Sequence, residues 1–262
     1  MNELINNKKD IEKLTNIPVI TEIPYLSQFK NLREKKFSLV PYYKNTILLS
    51  IFEICIFLKY FSNYFFIKDI AMSSLIPENG KTLISILLAK ALSVLNYKTL
   101  LIDADPNIRQ IHTRLDIKNN LGLADLFYDP YLKVQTVINK VSKNLHVISS
   151  GNKNSYIKLI KENNVKKDLL YDHNLSPAQY IFSSNLISIL TNHIRNLNLY
   201  KFIIYDSTIL GNIQNDSLAS QIDGTILVIP LNKIKKKLFK SKLKRLKEKN
   251  IFIFGIILNN LS

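Results

Sequence analysis

From about residue 46 onward, short uninterrupted apolar runs alternate with longer stretches in which apolar residues recur every three or four positions. The apolar runs predict strands, and the longer stretches predict helices. Because continuous apolar strands are typical of parallel sheets that helices cover on both faces, the pattern predicts a doubly wound, mostly parallel α/β fold. The predicted strands are residues 69–73, 99–102, 145–149, 202–205, 225–229 and 251–258, and the predicted helices are residues 46–65, 81–95, 185–196 and 234–249.

The first 45 residues show no sustained period of either kind and contain three prolines. We therefore expect an N-terminal linker or extension over residues 1–45 and one folded domain over residues 46–262. Within that domain, the segment 151–180 is polar and is predicted to be mostly loop. A chain of 262 residues is long enough to bury a full hydrophobic core.

One apolar window, residues 46–67, is long enough to span a bilayer. Glu53 and Lys59 fall inside it, and a charge at the centre of a membrane helix costs about 2.5–3.5 kcal/mol on insertion scales. The sequence thus favours a helix packed on a soluble domain over an integral membrane span. The polar N-terminus does not resemble a secretory signal, and the single cysteine, Cys55, fits a reducing compartment, so we expect a cytoplasmic protein.

The formal net charge of +16 raises the question of an acidic partner. The densest basic stretch, residues 233–249, carries apolar residues at near-helical spacing, which are Ile234, Leu238, Leu243 and Leu246. We expect these residues to pack inward and to leave the lysines in solvent. A solvated helix face is therefore favoured over a surface that binds a membrane, an acidic polymer or nucleic acid, and nucleic acid is the partner least expected.

A strand, a loop that ends in Gly80-Lys81-Thr82 and a helix follow one another from residue 69. A phosphate-binding loop is built in this order, because the backbone N–H groups at the start of the helix face the anion. The Lys81 amine is expected to reach the terminal phosphates of a nucleotide, and the Thr82 hydroxyl is expected to bind Mg²⁺. By itself the tripeptide is a weak signal, since it arises by chance in many sequences.

Acidic residues stand at the ends of two further predicted strands. Asp103 and Asp105 follow the strand 99–102, and Asp206 follows the strand 202–205. Because the carboxyl ends of parallel strands meet at one edge of a sheet, these carboxylates are expected beside the loop, where they can hold Mg²⁺ or accept a proton. Each aspartate taken singly could equally cap a helix or a turn, but the combination favours a magnesium site.

Several segments occur in an order that matches a known family. Residues 102–105 read IDAD and are followed by His112 and by LGLADL at 121–126, which resembles LLIDADLRRPxLH…PGLSDLL of the bacterial tyrosine kinases of capsule and exopolysaccharide synthesis. The further matches are LHVISSG at 145–151, SPAQ at 176–179, YKFIIYD at 200–206, DGTILVI at 223–229, GIILN at 255–259 and, resembling the linker after the membrane chain-length regulator, IPVITEIP at 17–24. The resemblance thus covers nearly the whole chain.

The resemblance implies a cytoplasmic P-loop kinase that uses ATP and Mg²⁺ to phosphorylate tyrosines on its own C-terminal tail. It also implies a membrane chain-length regulator as activating partner and a homo-oligomeric ring. Carried over to this chain, it assigns Gly80, Lys81 and Thr82 to the phosphates and places Thr82, Asp103, Asp105 and Asp206 at the metal. Asp103, Asp105 and Lys81 are the implied catalytic residues, and Asn259 is the implied adenine contact.

The chain departs from the family at several of these positions. Glu78 replaces a glycine of the usual PGEGKS loop, so side-chain bulk and charge are expected beside the phosphates. The family's ring-forming ExxRxxR helix keeps Glu53, with Ile56 and Lys59 at the arginine positions. The sequence ends at Ser262 without a tyrosine cluster, so autophosphorylation of a tail is not expected.

Two alternatives follow from these departures. One is a non-catalytic relative that binds nucleotide weakly or not at all and acts through a membrane partner. The other is a partitioning ATPase of the Min or Par type, which shares the fold but carries an extra lysine early in the loop, where this chain has Ile76. The kinase-type interpretation is favoured because its motifs extend along most of the chain.

Overall fold

A computed structural model describes residues 3–24, 45–77, 79–105, 107–129, 131–152, 186–211 and 213–260. Glu78, Ser262, all but the first two residues of the predicted loop 151–180, and the kinase-like segment 176–179 lie outside the described residues.

The predicted strands and helices all occur, with ends shifted by a few residues. The strands are β1 (Val19–Ile23), β2 (Asp69–Ser74), β3 (Thr99–Ala104), β4 (Ile138–Lys140), β5 (Leu145–Ile148), β6 (Phe202–Ile209), β7 (Gly224–Pro230) and β8 (Ile253–Asn259). The helices are α1 (Lys8–Glu12), α2 (Asn45–Tyr64), α3 (Lys81–Val94), α4 (Ile111–Leu115), α5 (Leu123–Tyr128), α6 (Leu186–Asn196), α7 (Ile213–Gln221) and α8 (Lys236–Glu248), with a 3₁₀ turn at Val134–Val137. The sequence pattern does not predict β1, β4, α1, α4, α5 and α7, which are short or weakly periodic.

The eight strands form one sheet in the order β1-β8-β7-β2-β6-β3-β5-β4. All neighbouring strands run parallel except β4 and β5. From β2 the chain winds outward through β3 to β5 and then returns through β6, β7 and β8 toward the other edge. The predicted doubly wound, mostly parallel α/β fold is therefore confirmed.

Helices cover both faces of the sheet. Leu101 of β3 belongs to the same buried cluster as Leu88 of α3, whereas its neighbour Leu100 belongs to the cluster of Ile194 in α6. Because successive residues of a strand point to opposite faces, α3 and α6 lie on opposite sides of the sheet.

The basic helix α8 packs on the sheet through a slightly different set of residues than the sequence predicts. Ile234, Leu246 and Phe239 are buried, but Leu238 is 40% exposed, so its prediction as an inward residue is wrong. Phe239 is buried instead, because it lies at helical spacing from Leu243 and Leu246, which pack in the same cluster. The lysines of α8 mostly lie in solvent, as expected for its outer face.

The described part of the N-terminal segment is not a separate linker. β1 pairs with β8 and forms one edge of the sheet, and Ile5 and Ile11 are buried in the cluster that contains Phe239 of α8. Lys236 fixes this segment further through ion pairs with Glu3 and Asp10. The prediction of a linker therefore does not hold for residues 3–24. The sequence did not reveal β1, because a five-residue edge strand is too short to show a period.

The long apolar helix α2 lies against the sheet. Ile47, Ile51, Ile54 and Leu58 are buried in the main core cluster. By length and composition alone, α2 is the one described helix that could cross a membrane. Its buried face instead supports the predicted packing of this helix on the domain.

A polar network joins the amino ends of β2 and β7 to α6. Arg195 donates from Nε to Asp69 Oδ2 at 2.6 Å and from a terminal nitrogen to Asp223 Oδ1 at 2.9 Å. The other Asp223 oxygen accepts from the backbone N–H groups of Lys68 and Asp69. Asp69 is fully buried, and its Oδ1 and the nearby Tyr205 hydroxyl have no hydrogen-bond partner in the structure. Burial raises the pKa of Asp69 to about 6 although Arg195 opposes the shift.

This raised pKa predicts a pH dependence of stability. An acid whose pKa is higher in the folded chain binds more protons when folded, so the free energy of unfolding should rise as the pH falls from about 6 toward 4. The part due to Asp69 should amount to about 2–3 kcal/mol at full protonation. Urea unfolding of wild type and Asp69→Asn across this pH range measures it, because the variant should lack that part of the slope. Parallel stability curves for the two proteins would contradict the prediction.

Candidate functional site

The loop and the strand-end aspartates meet at the carboxyl edge of the sheet. β6 lies between β2 and β3, so Asp206 is directly opposite Asp103 in the register of β3 and opposite Met72 in the register of β2. The register between β2 and β6 shifts between Met72 and Ser74, the last residue of β2, and the loop follows. Strand order thus brings the loop and two of the predicted acids to one place.

Gly80 turns the loop into helix α3. It adopts φ 77° and ψ 9°, a left-handed conformation that glycine reaches without the penalty of a Cβ, and it is the N-cap residue of α3. Lys81 is therefore the first helical residue, and its backbone N–H lies at the positive end of the helix. The Lys81 side chain is buried and its Nζ lies 3.3 Å from Asp105 Oδ2.

Asp206 is held by hydroxyl groups from the first turns of α3. Ser85 Oγ lies 3.1 Å from Asp206 Oδ1 and 2.9 Å from the Lys81 carbonyl oxygen, and its one proton is donated to either of them. The Thr82 side chain also donates a hydrogen bond to this carboxylate. The sequence predicted Thr82 at the metal but did not single out Ser85. The signal that could have identified Ser85 is its position one helical turn after Lys81.

Asp103 and Asp105 also have the capping role that the sequence left open. Asp105 Oδ1 accepts from two backbone N–H groups, those of Asn107 and Ile108, at 3.1 Å each. Asp103 Oδ2 accepts from the Ile111 N–H at the start of α4 at 3.2 Å. Asp103 Oδ1 is buried and has no hydrogen-bond partner in the structure.

This cluster contains three carboxyl groups and one lysine. Burial would lower the pKa of Lys81, but Asp206 and Asp105 outweigh burial and raise it. The amine therefore stays protonated. Burial, with Asp206 beside it, raises the pKa of Asp103 to about 8, and burial also raises the pKa of Asp206. Burial and mutual repulsion thus favour protons on Asp103 and Asp206, and a divalent cation bound here would favour their ionised forms.

The residues suit an Mg²⁺ ion that is bound together with phosphate, rather than an Mg²⁺ ion coordinated by protein ligands alone. Among the described residues, no group of three or more His, Cys, Asp or Glu side chains is arranged to hold a metal on its own. Mg²⁺ usually keeps several waters and is bound through one or two carboxylates and the substrate phosphates. The unpartnered Asp103 oxygen and the Thr82 hydroxyl beside Asp206 suit that arrangement.

Two asparagine side chains form hydrogen bonds with backbone atoms of the loop. Asn79 Nδ2 donates to the Ile76 carbonyl at 2.6 Å, and its Oδ1 accepts from the Lys81 N–H at 3.1 Å. Asn259, at the end of β8, donates to the Asn79 carbonyl at 2.5 Å and is buried. The predicted adenine contact thus lies against the loop, and Asn79 occupies a backbone donor that a phosphate would use.

A strand, a loop that ends in Gly-Lys-Thr with its glycine in the left-handed conformation, a helix and strand-end acids together define a P-loop nucleotide-binding domain. The family described as "CobQ/CobB/MinD/ParA nucleotide binding domain" matches residues 77–261. The chain belongs to this family.

Relatives and solved structures add detail. The chain is 24% identical to "Putative tyrosine-protein kinase CapB" of Staphylococcus aureus over 196 residues, which cover 74% of this chain and 76% of that protein. The kinase domain of the Escherichia coli tyrosine kinase ETK matches with a TM-score of 0.76 at 17% identity, over 98% of this chain and 95% of that chain. The septum site-determining protein MinD of Pyrococcus horikoshii, solved with Mg-ADP, matches with a TM-score of 0.54 at 20% identity, over 73% and 70%.

These likenesses confirm the resemblance to bacterial tyrosine kinases that the sequence motifs indicated, and they confirm the P-loop fold. At such identities the solved structures establish the fold, while the activity and ligands of this chain are a separate question.

Proposed function

We propose that this chain binds ATP with Mg²⁺ as a cytoplasmic domain of the tyrosine-kinase type and serves exopolysaccharide or capsule synthesis and export. The observation that carries the proposal is the contact of the buried Lys81 amine with Asp105, beside Asp206 and Asp103, at the start of α3. The family match and the similarity to CapB support it.

Each side chain has a role in this proposal. Lys81 and the backbone of Gly80 and Lys81 bind the phosphates, since the helix start supplies N–H donors and the amine supplies charge. Thr82 and Asp206 hold Mg²⁺, which would draw charge from the transferred phosphoryl group. Asp103 and Asp105 would complete the metal site and could accept the proton of a tyrosine hydroxyl.

Asn259 contacts adenine in this proposal, from the carboxyl end of β8. Its amide donates to the Asn79 carbonyl at 2.5 Å, so nucleotide binding and the shape of the loop are coupled through one side chain.

A membrane chain-length regulator is the proposed partner, and a homo-oligomer is the proposed assembly. The outer face of α2, which corresponds to the ring-forming helix of the kinases, exposes Ile56 by 68% and also exposes Lys59. An apolar side chain and a lysine do not reproduce the planar, bidentate contacts of two arginines. We therefore infer that ring assembly of the kinase kind is weakened and that catalysis is reduced.

Phosphotyrosine mass spectrometry after incubation with Mg-ATP tests this function. We expect little or no autophosphorylation of the isolated chain, because phosphoryl transfer depends on positioning and the acceptor is poorly delivered. A separate tyrosine-containing protein, in particular the membrane partner, is the expected acceptor. Asp103→Asn is the matched control for chemistry at this site. Abundant phosphotyrosine on the chain's own tyrosines that disappears in Asp103→Asn would show a working autokinase and contradict the expectation.

The Asn79 side chain favours a second candidate, a non-catalytic relative that acts through its partner. Its amide already satisfies the Lys81 N–H and the Ile76 carbonyl, so an incoming phosphate must replace an existing hydrogen bond instead of filling a vacant one. Mg-ATP binding that appears in Asn79→Gly but not in wild type would select this candidate.

A further inference from the structure

The parallel strands begin on the side of the sheet opposite the candidate nucleotide site. The loops on that side carry exposed apolar side chains. The loops that enter β2, β3, β6 and β8, which we call the amino-edge loops, are residues 65–68, 95–98, 197–201 and 249–252. Parallel strands start together, so these loops lie along one edge of the molecule. Their exposed apolar residues are Phe65, Phe66, Leu95, Leu199 and Phe252.

Phe66 is the most unusual of these residues. It is 85% exposed and adopts φ 58°, in the left-handed region that bulky side chains rarely enter. The loops after α3, α6 and α8 place asparagine in the same region, at Asn96, Asn198 and Asn250. Asparagine adopts this conformation at low cost. Asparagine thus occupies the left-handed position in three of these loops. The exposed phenylalanine at that position in the fourth loop points to a contact outside the chain.

The charge of this edge is positive. Lys68, Lys98 and Lys201 belong to the amino-edge loops. In the described loops that precede the parallel strands, the one acidic residue is Asp223, and its carboxylate is paired with Arg195. Glu248 lies just before the last loop, at the end of α8, with Lys244 4.0 Å away. The amino-edge loops therefore combine exposed aromatic residues with lysines.

We infer that the amino-edge loops bind directly to an anionic lipid bilayer. Aromatic side chains partition into the headgroup region, and lysines near the surface are attracted by acidic lipids. A second copy of the chain fits less well, because a symmetric contact would bring the same lysines together. The inference does not depend on the nucleotide site, which lies at the other edge of the sheet.

Sedimentation of the full chain with phosphatidylglycerol vesicles and with phosphatidylcholine vesicles tests this inference. We expect binding to the anionic vesicles, loss of that binding at high salt and little binding to phosphatidylcholine. Phe66→Asn should lower the vesicle affinity by about tenfold or more, since the apolar contact is lost. The same variant should unfold at an equal or higher temperature, because asparagine suits the left-handed turn. Tyr131→Asn removes a 92% exposed aromatic residue outside these loops and should leave binding unchanged.

The lysines are tested by charge removal. The double variant Lys98→Gln, Lys201→Gln should lower affinity for anionic vesicles by roughly 30-fold, from about 1 kcal/mol for each lysine. The matched control Lys233→Gln, Lys237→Gln removes two charges near the start of α8 and should have no effect. No binding to phosphatidylglycerol vesicles, or equal binding by Phe66→Asn, would overturn the inference. Lipid-free self-association that Phe66→Asn abolishes would assign the edge to a second copy and overturn it as well.

Discussion

Lys81→Ala is expected to weaken Mg-ATP binding by roughly 10- to 100-fold, the range for loss of a hydrogen-bonded charge. The amine is buried, lies 3.3 Å from Asp105 and is held cationic by the carboxylates around it. Its loss removes the one positive side chain of the cluster and leaves buried carboxylates facing the anionic phosphates. Isothermal titration calorimetry with Mg-ATP, on wild type and variant under the same buffer, measures the difference.

Two further variants separate binding from folding. Lys81→Met keeps most of the side-chain volume and should lose affinity as Lys81→Ala does, because charge rather than bulk carries the effect. Lys90→Ala removes a lysine from the same helix, beyond the first two turns, and should bind as wild type does. Thermal unfolding confirms that each variant is folded before its affinity is compared. Equal affinity for wild type and Lys81→Met would contradict the site, and no binding by wild type would favour the non-catalytic candidate.

Gly122→Ala is expected to destabilise the fold by about 3 kcal/mol or more, at or above the usual range for overpacking. A Cβ at this position would lie 2.3 Å from the Ser149 carbonyl oxygen and 2.4 Å from the Gly151 nitrogen. Both are backbone atoms, and the same oxygen accepts the Leu123 N–H at 2.8 Å, so neither can move without breaking the junction between β5 and α5. Chemical unfolding in urea measures the loss.

Gly255→Ala is the matched control for this prediction. There a Cβ would approach the terminal methyl of Ile20 to 2.4 Å, and a side-chain tip can rotate away. The loss of stability should therefore be clearly smaller than in Gly122→Ala. A reversed order of the two variants would show that the contact of Gly122 with Gly151 is less tight than the structure has it.

The sequence by itself predicted which residues make up the candidate site. Gly80, Lys81 and Thr82 and the three aspartates could be placed because each follows a continuous apolar strand, and strand ends of a parallel sheet share one edge. The family could also be recognised, since its motifs keep their order along the chain and survive where single residues change.

The tertiary structure decided which of these residues touch and what else surrounds them. Asp206 lies opposite Asp103 because β6 enters between β2 and β3, a long-range pairing that no local period encodes. The closure of the loop by Asn79 and the support of Asp206 by Ser85 depend on side-chain directions within the folded site. β1 joins the sheet because β8 offers it an unpaired edge, and Phe66 is exposed because α2 ends there in a left-handed turn. Local patterns report which residues are apolar or acidic, whereas strand order, register and exposure are set by contacts between segments far apart in the chain.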